Sequence, residues 1–276
     1  MSPLARIATA VAASLAAVAL IAGCGGDDGG PATDATSGLT PREVLTASAE
    51  AARGLDAFRM AFEATGTADL GPQVSGLLGQ AIDISGEGLV RPPDATAIDA
   101  TVDVARLPLQ VNLTRLGDDV VVGALGRSIA LELAPETLAY LDFGSAYPEL
   151  TEWITEPAVE AGGEVAGTPT VSVSGGLDPD RVLGALEPLL GDAVAADVPA
   201  GALTGTATIQ IGVEDLLPRR VEVRVTGDAG ALAPGAGPLD LAITADLGDF
   251  GTTDQVTLPP ADETLRPDQL GSLLGD

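Results

Sequence analysis

Carboxylates are the only plentiful side chains here that could do chemistry. The 276 residues hold 40 aspartates and glutamates, no histidine, and 13 basic residues, all of them arginine. Asp83 with Glu87, and Asp99 with Asp103, are each four apart in stretches that read as strands. That spacing puts both members of a pair on one face, where an acid and a base could share a substrate. A solvated acidic face explains the same pattern more simply. Without histidine the Ser-His-Asp and Cys-His arrangements are excluded, and without lysine so is the serine-lysine variant. Asp27-Asp28 and Asp118-Asp119 lack the alternating oxygen ligands of an EF-hand loop. Gly76 to Gly79 and Gly123 to Gly126 lack a Walker lysine or a dinucleotide fingerprint. The expectation is a protein that is not an enzyme, with no metal and no cofactor.

The remaining reactive group is Cys24, the chain's single cysteine. Arg6 precedes an apolar run from Ala8 to Ile21, interrupted only by Thr9 and Ser14. This is a signal peptide's short n-region and h-region, shorter than a bilayer span. Leu20-Ile21-Ala22-Gly23-Cys24 resembles the lipobox of bacterial lipoproteins. The resemblance implies diacylglyceryl on the Cys24 thiol and cleavage just before it. Each buried methylene contributes roughly 0.8 kcal/mol, so two acyl chains suffice for stable anchoring. An ordinary secretory signal with a chance cysteine is the plainer alternative. With Cys24 acylated, thiol catalysis is excluded as well.

Charge sets further bounds. The net charge is −27, and losing Arg6 with residues 1–23 makes it −28. Such a surface disfavours nucleic acid and direct adsorption to anionic headgroups. A generally acidic proteome would produce the same bias, so it does not identify a substrate. No second cysteine remains for a disulfide, which leaves stability to packing, and 46% hydrophobic residues permit a sizeable core.

The positioning elements follow in order. Gly25 to Gly38 is rich in glycine, aspartate and threonine and reads as a flexible tether. Thr40-Pro41-Arg42-Glu43 is a capping box with proline at the first helical position, and predicts a helix to about Leu55. Alternation then predicts strands over about 59–70, 81–90, 97–105 and 109–116. Gly117-Asp118-Asp119 makes a tight turn into Val120-Val121-Val122. Leu150, Ile154 and Ala158, with Trp153 beside them, predict a helix over Pro148 to Ala161, stopped by Gly162-Gly163. A strand over 167–175 and a helix opened by Asp178-Pro179 come next. Strands follow over 204–213, 220–226 and 239–247, with a short last one at Val256 to Leu258. The tail after Pro260 is polar. The fold class expected is α+β, mainly β. It is one large, strongly curved antiparallel sheet of roughly eight to ten strands, because a sheet this long must curl or split. Helices would cross its inner face. The expected domains are a signal peptide (1–23), a lipidated tether (24–38), the folded domain (39–262) and a polar tail (263–276).

Four stretches resemble the LppX/LprG-type mycobacterial and actinobacterial lipoproteins. They are Glu63-Ala64-Thr65-Gly66-Thr67, Ser85-Gly86-Glu87-Gly88, and Ala166-Gly167-Thr168-Pro169-Thr170-Val171-Ser172-Val173-Ser174-Gly175. The fourth is Leu247-Gly248-Asp249-Phe250-Gly251 leading to Val256-Thr257-Leu258-Pro259-Pro260. The ordered set spans about residues 40 to 260. It implies a fold similar to LolA and LolB, a half-open barrel with helices across its concave face around an apolar cavity. It also implies that acylated lipid or glycolipid is bound and moved across the envelope. By that resemblance the strand faces carrying Phe62, Ile84, Val102, Val111 and Ile209 line the cavity, and Tyr140 and Trp153 sit at its mouth. For both aromatics a place in the core is the plainer alternative. The partners implied are acylated lipid, the plasma membrane through Cys24, and a membrane lipid transporter. The localisation implied is the extracytoplasmic face of the cell membrane. The rival expectation is a structural or interaction lipoprotein with a filled core, supporting an envelope transporter.

Overall fold

The computed structural model describes residues 34–68, 81–104, 107–133, 143–179, 181–182, 201–228 and 237–265. Cys24, Tyr140, Asp27-Asp28, the signal peptide and the Gly76 to Gly79 stretch lie outside these residues. The chain is already held at residue 35. Ala35 N donates to Val213 O at 2.6 Å, and Asp34 Oδ1 accepts from both the backbone N–H and the hydroxyl of Thr36, which is buried.

Helix α1, Pro41–Arg53, begins on the expected capping box. Thr40 N donates to Glu43 Oε2 at 2.8 Å, and Glu43 N donates back to Thr40 Oγ1 at 3.4 Å. Two otherwise orphaned donors of the first turn are thereby satisfied. Val44, Leu45, Ser48, Ala49 and Ala52 form its buried stripe, the three- and four-residue spacing of an amphipathic helix.

Alternating residues then build strands β1 (Phe58–Ala68), β2 (Ala81–Arg91), β3 (Ala95–Val104), β4 (Leu107–Leu116), β5 (Asp119–Ala124) and β6 (Arg127–Leu131). Helix α2, Phe143–Trp153, runs straight into β7 (Ile154–Val165). Strands β8 (Thr168–Leu177), β9 (Leu203–Gly212), β10 (Pro218–Asp228), β11 (Pro238–Gly248) and β12 (Glu263–Leu265) complete the order. All twelve belong to one sheet, ordered β12-β6-β5-β4-β3-β2-β1-β11-β10-β9-β8-β7. The β1–β11 pair joins the two halves of the chain at the middle of that sheet.

The half-open barrel is overturned. The sheet neither closes nor curls into a barrel, and β12 and β7 stand at its opposite ends. Closure would require those two edges to exchange hydrogen bonds. Strand β7 instead shifts register twice against β8, between Thr155 and Ala158 and between Ala161 and Gly163. Most of its side chains, Glu156, Glu160 and Glu164 among them, are exposed. Bulges and outward charges are how an edge strand avoids further pairing. At the other end β6 takes β12 as a parallel partner, so the sheet is mixed rather than purely antiparallel.

Two smaller expectations also change. The helix expected over Pro148 to Ala161 stops at Trp153, and the rest is β7, with Gly163 at a bulge in place of a helix stop. No strand forms at Val256 to Leu258, and the last described strand is β12.

One face of the sheet is apolar. A single row of register partners crosses it: Val173, Ile209, Val221, Ala245, Phe62, Gly86, Ala100 and Val111. Helices α1 and α2 pack on each other and at the β7–β8 end. Ser48 Oγ and Tyr147 Oη lie 2.7 Å apart in this buried seam. Arg42 donates to the carbonyls of Thr151 and Ile154, tying α1 to the α2–β7 junction. The other face carries charge, with ion pairs Arg220–Asp246 and Arg224–Asp240 across β10 and β11.

Candidate functional site

The apolar face is the larger candidate. Phe62 and Ile209 lie in the row described above, as does Val111. Ile84 and Val102 are register partners in the next row toward the β2–β3 ends. Strand alternation aims all five at one side. Trp153 enters the same core cluster from the end of α2. These six residues are 0–7% exposed, so each already has neighbours on most sides.

Glycine shapes this face. A β-carbon at Gly86 would meet Phe62 Cζ at 2.6 Å and Asp99 O at 2.5 Å, and one at Gly88 would meet Ile98 Cγ1 at 3.1 Å. Phe62 and Ile98 lean into the trough these glycines leave, as an aromatic on a neighbouring strand covers a sheet glycine.

Arg115 belongs to no sequence motif. Leu109, Val111 and Leu113 alternate toward the apolar face, and the same period carries on to position 115. Among the described residues Arg115 is the one charged residue in the buried class, at 8% exposure. Its register neighbours are Thr96 on β3 and Val120 on β5, and the row continues through Val90 to Phe58. Its Nε donates to Gly117 O at 3.0 Å, while Nη1 is shielded from solvent and has no hydrogen-bond partner.

The polar face holds a groove of about 740 Å³ across β3, β2, β1, β11 and β10. Glu63, Glu87, Asp99, Glu222 and Asp246 line it, with Arg220 as its one cation among the described residues. Arg220 Nε and Nη2 bond Asp246 at 2.5 and 2.8 Å. Chiefly through that hydrogen bond, its guanidinium is held protonated still more firmly than usual, against the opposing effect of burial. Glu87 and Asp99 face each other in register, and both are exposed. Asp83 shares this face with Glu87, and Asp103 shares it with Asp99, as the spacing predicts. Open to water, these carboxylates have the surroundings of a solvated acidic face. Among the described residues no group of three or more His, Cys, Asp or Glu could hold a metal ion. Gly123 sits on β5 and Gly126 in the β5–β6 turn, and Asp118 lies in the β4–β5 turn next to Asp119, the first residue of β5.

No family model matches the chain, and no curated protein matches it. Among solved structures it is remotely similar to the lipoprotein LppX of Mycobacterium tuberculosis, at 15% identity and a TM-score of 0.43, over 79% of this chain and 98% of that one. It is similar to LprF from Mycobacterium bovis at 14% identity and a TM-score of 0.47, over 80% and 97% of the two chains. A LolA superfamily protein from Nitrosomonas europaea matches at 11% identity and a TM-score of 0.27, over 80% and 96%.

Proposed function

We propose that this chain is a lipoprotein of the cell envelope, anchored through Cys24 on the extracytoplasmic face of the membrane. It binds acylated lipid or glycolipid against the apolar face of its sheet and carries or presents that lipid across the envelope. The observation that carries this reading is the extent of apolar sheet relative to the two helices α1 and α2 described on it. Twelve strands at about 4.8 Å spacing make a sheet about 50 Å wide. Helices α1 and α2 have 13 and 11 residues, so neither is longer than about 20 Å, and both pack at the β7–β8 end. The face over β2, β3 and β4, bearing Ile84, Val102 and Val111, lies toward the other end. These residues are 3–6% exposed, so an acyl chain entering there would replace their present cover, and the gain of about 25 cal/mol per Å² removed from water would come from its own apolar surface. The lipobox supplies the membrane from which such a chain would come.

A second reading, a non-catalytic structural or interaction lipoprotein, is favoured by one observation. Phe62 already fills the space beside Gly86, and the six face residues are nearly fully buried by the chain itself.

Native mass spectrometry of the full chain, extracted from its host's membranes in nonionic detergent, separates the two. The first reading expects one noncovalent acyl lipid per chain besides the covalent anchor. A chain that carries none and refuses added lipid leaves only the second.

A further inference from the structure

We infer that Arg115 is the headgroup site of the bound lipid, and that the lipid is therefore anionic, with a phosphate or carboxylate beside its acyl chains. This rests on the lipid-binding reading above and names the ligand class for the same face.

A buried guanidinium is costly unless it is paired and its donors are used. The other described arginines meet that condition or stay wet. Arg59, Arg127, Arg181, Arg219, Arg220 and Arg224 each pair with a carboxylate. Arg42 and Arg91 donate to backbone carbonyls, and Arg53 is exposed. Two other buried side-chain atoms lack partners, Gln210 Oε1 and Arg219 Nε. Gln210 is neutral and uses its amide on Gly162 O, and Arg219 has Asp215. Among the described arginines Arg115 alone combines burial, full charge, no ion pair and an idle Nη1.

Its place in the fold suits a headgroup. Arg115 is one residue from the end of β4, beside the Gly117–Asp118 turn, while Leu116 next to it is exposed. Along the same strand and face lie Leu113, Val111 and Leu109, so an amphiphile with its anion at Arg115 would run its tail down β4. From Arg115 to Val111 is about 13 Å, the scale of an acyl chain. A guanidinium offers a planar fork of donors that matches phosphate or carboxylate oxygens. In a chain of net charge −27, an anion would find little other attraction, and one buried cation on the apolar side supplies it locally.

The full chain in nonionic detergent is offered dioleoylphosphatidic acid and dioleoylglycerol, which share tails and differ in the phosphate, and bound lipid is read by native mass spectrometry. The wild type should retain phosphatidic acid at least tenfold over dioleoylglycerol, and Arg115→Met should bind both equally with an unchanged melting temperature. Arg115→Lys should keep part of the preference. A wild type that binds both lipids equally overturns the headgroup site and leaves lipid binding standing. A wild type that binds neither overturns both. Loss of both lipids in Arg115→Met together with a lowered melting temperature shows a structural role at the β4–β5 turn and overturns the site. Inorganic phosphate alone, raising the wild-type melting temperature as much as phosphatidic acid does, would identify a free-anion site and overturn the lipid assignment.

Discussion

Phe62 on β1 stands over Gly86 on β2, close enough that a β-carbon at Gly86 would lie 2.6 Å from the ring's Cζ. The backbone oxygen of Asp99 on β3 would be 2.5 Å away on the other side. A ring can turn, but a paired strand cannot withdraw its carbonyl without losing its ladder. Gly86→Ala should therefore destabilise by about 1–3 kcal/mol, the usual range for overpacking, read as a lower denaturant midpoint. Phe62→Ala should cost about 3–5 kcal/mol. The double variant should cost less than the sum, since one of the two clashes disappears with the ring. Strict additivity would mean that the ring does not occupy the glycine's space.

Much of the fold is written in local pattern. The capping box at Thr40 and Glu43 marks the start of α1, because only a helix N-terminus needs those two reciprocal bonds. Period-two alternation finds β1 to β4 and β8 to β11, whose faces differ in wetness. Strand β7 has no such signal: Glu156, Glu160, Ala161 and Glu164 are all wet, since an edge strand is held mainly by its backbone bonds to β8. Leu150, Ile154 and Ala158 keep a helical spacing across the point where the helix ends. Whether twelve strands close depends on how two edges far apart in sequence meet, and no local window holds that information. Arg115 was legible in principle. The alternation through Leu109, Val111 and Leu113 places it inward, but the burial of a lone arginine is decided by its neighbours.

Thr40→Ala should remove the hydroxyl half of the cap, leaving the backbone N–H of residue 40 on Glu43, and destabilise the protein by about 1 kcal/mol near neutral pH. The Glu43 carboxyl is held below its ordinary value of 4.5, first by the Thr40 hydroxyl and then by the Thr40 backbone N–H. A depressed folded-state pKa means stability that is complete above the ordinary value and lost as pH falls through the lower one. The gap between wild type and Thr40→Ala should accordingly narrow on the acid side. Asp254, held low chiefly by its hydrogen bond from Arg59, lowers the acid stability of both proteins alike and leaves the gap between them unchanged. Denaturant midpoints for both proteins at about pH 6 and about pH 3 check this. A gap that widens in acid would contradict it.

Arg42 donates from α1 to both the last turn of α2 and the first residue of β7. Arg42→Met keeps its apolar stem and removes the donors, leaving the Thr151 and Ile154 carbonyls short of a charged partner. Bonds to charged groups contribute about 1.5–3 kcal/mol, so a loss of that size is expected in chemical denaturation. Because the junction fixes where helix turns into edge strand, hydrogen exchange should accelerate first in β7. Uniform acceleration across the sheet would show that the junction has no separate role.

Cys24→Ala separates anchoring from folding. The described fold is already tied to the sheet at Ala35, eleven positions beyond the cysteine. The variant should melt with the wild type. Its membrane partition should collapse, because the acyl chains proposed for Cys24 would supply many methylenes at roughly 0.8 kcal/mol each and the acidic surface adds no attraction to anionic lipid. The measurement is the share of chain in the membrane pellet after carbonate-free sedimentation, alongside incorporation of a labelled fatty acid. Full retention in the pellet with no label would mean that a span or a partner, and not the cysteine lipid, holds the protein at the membrane.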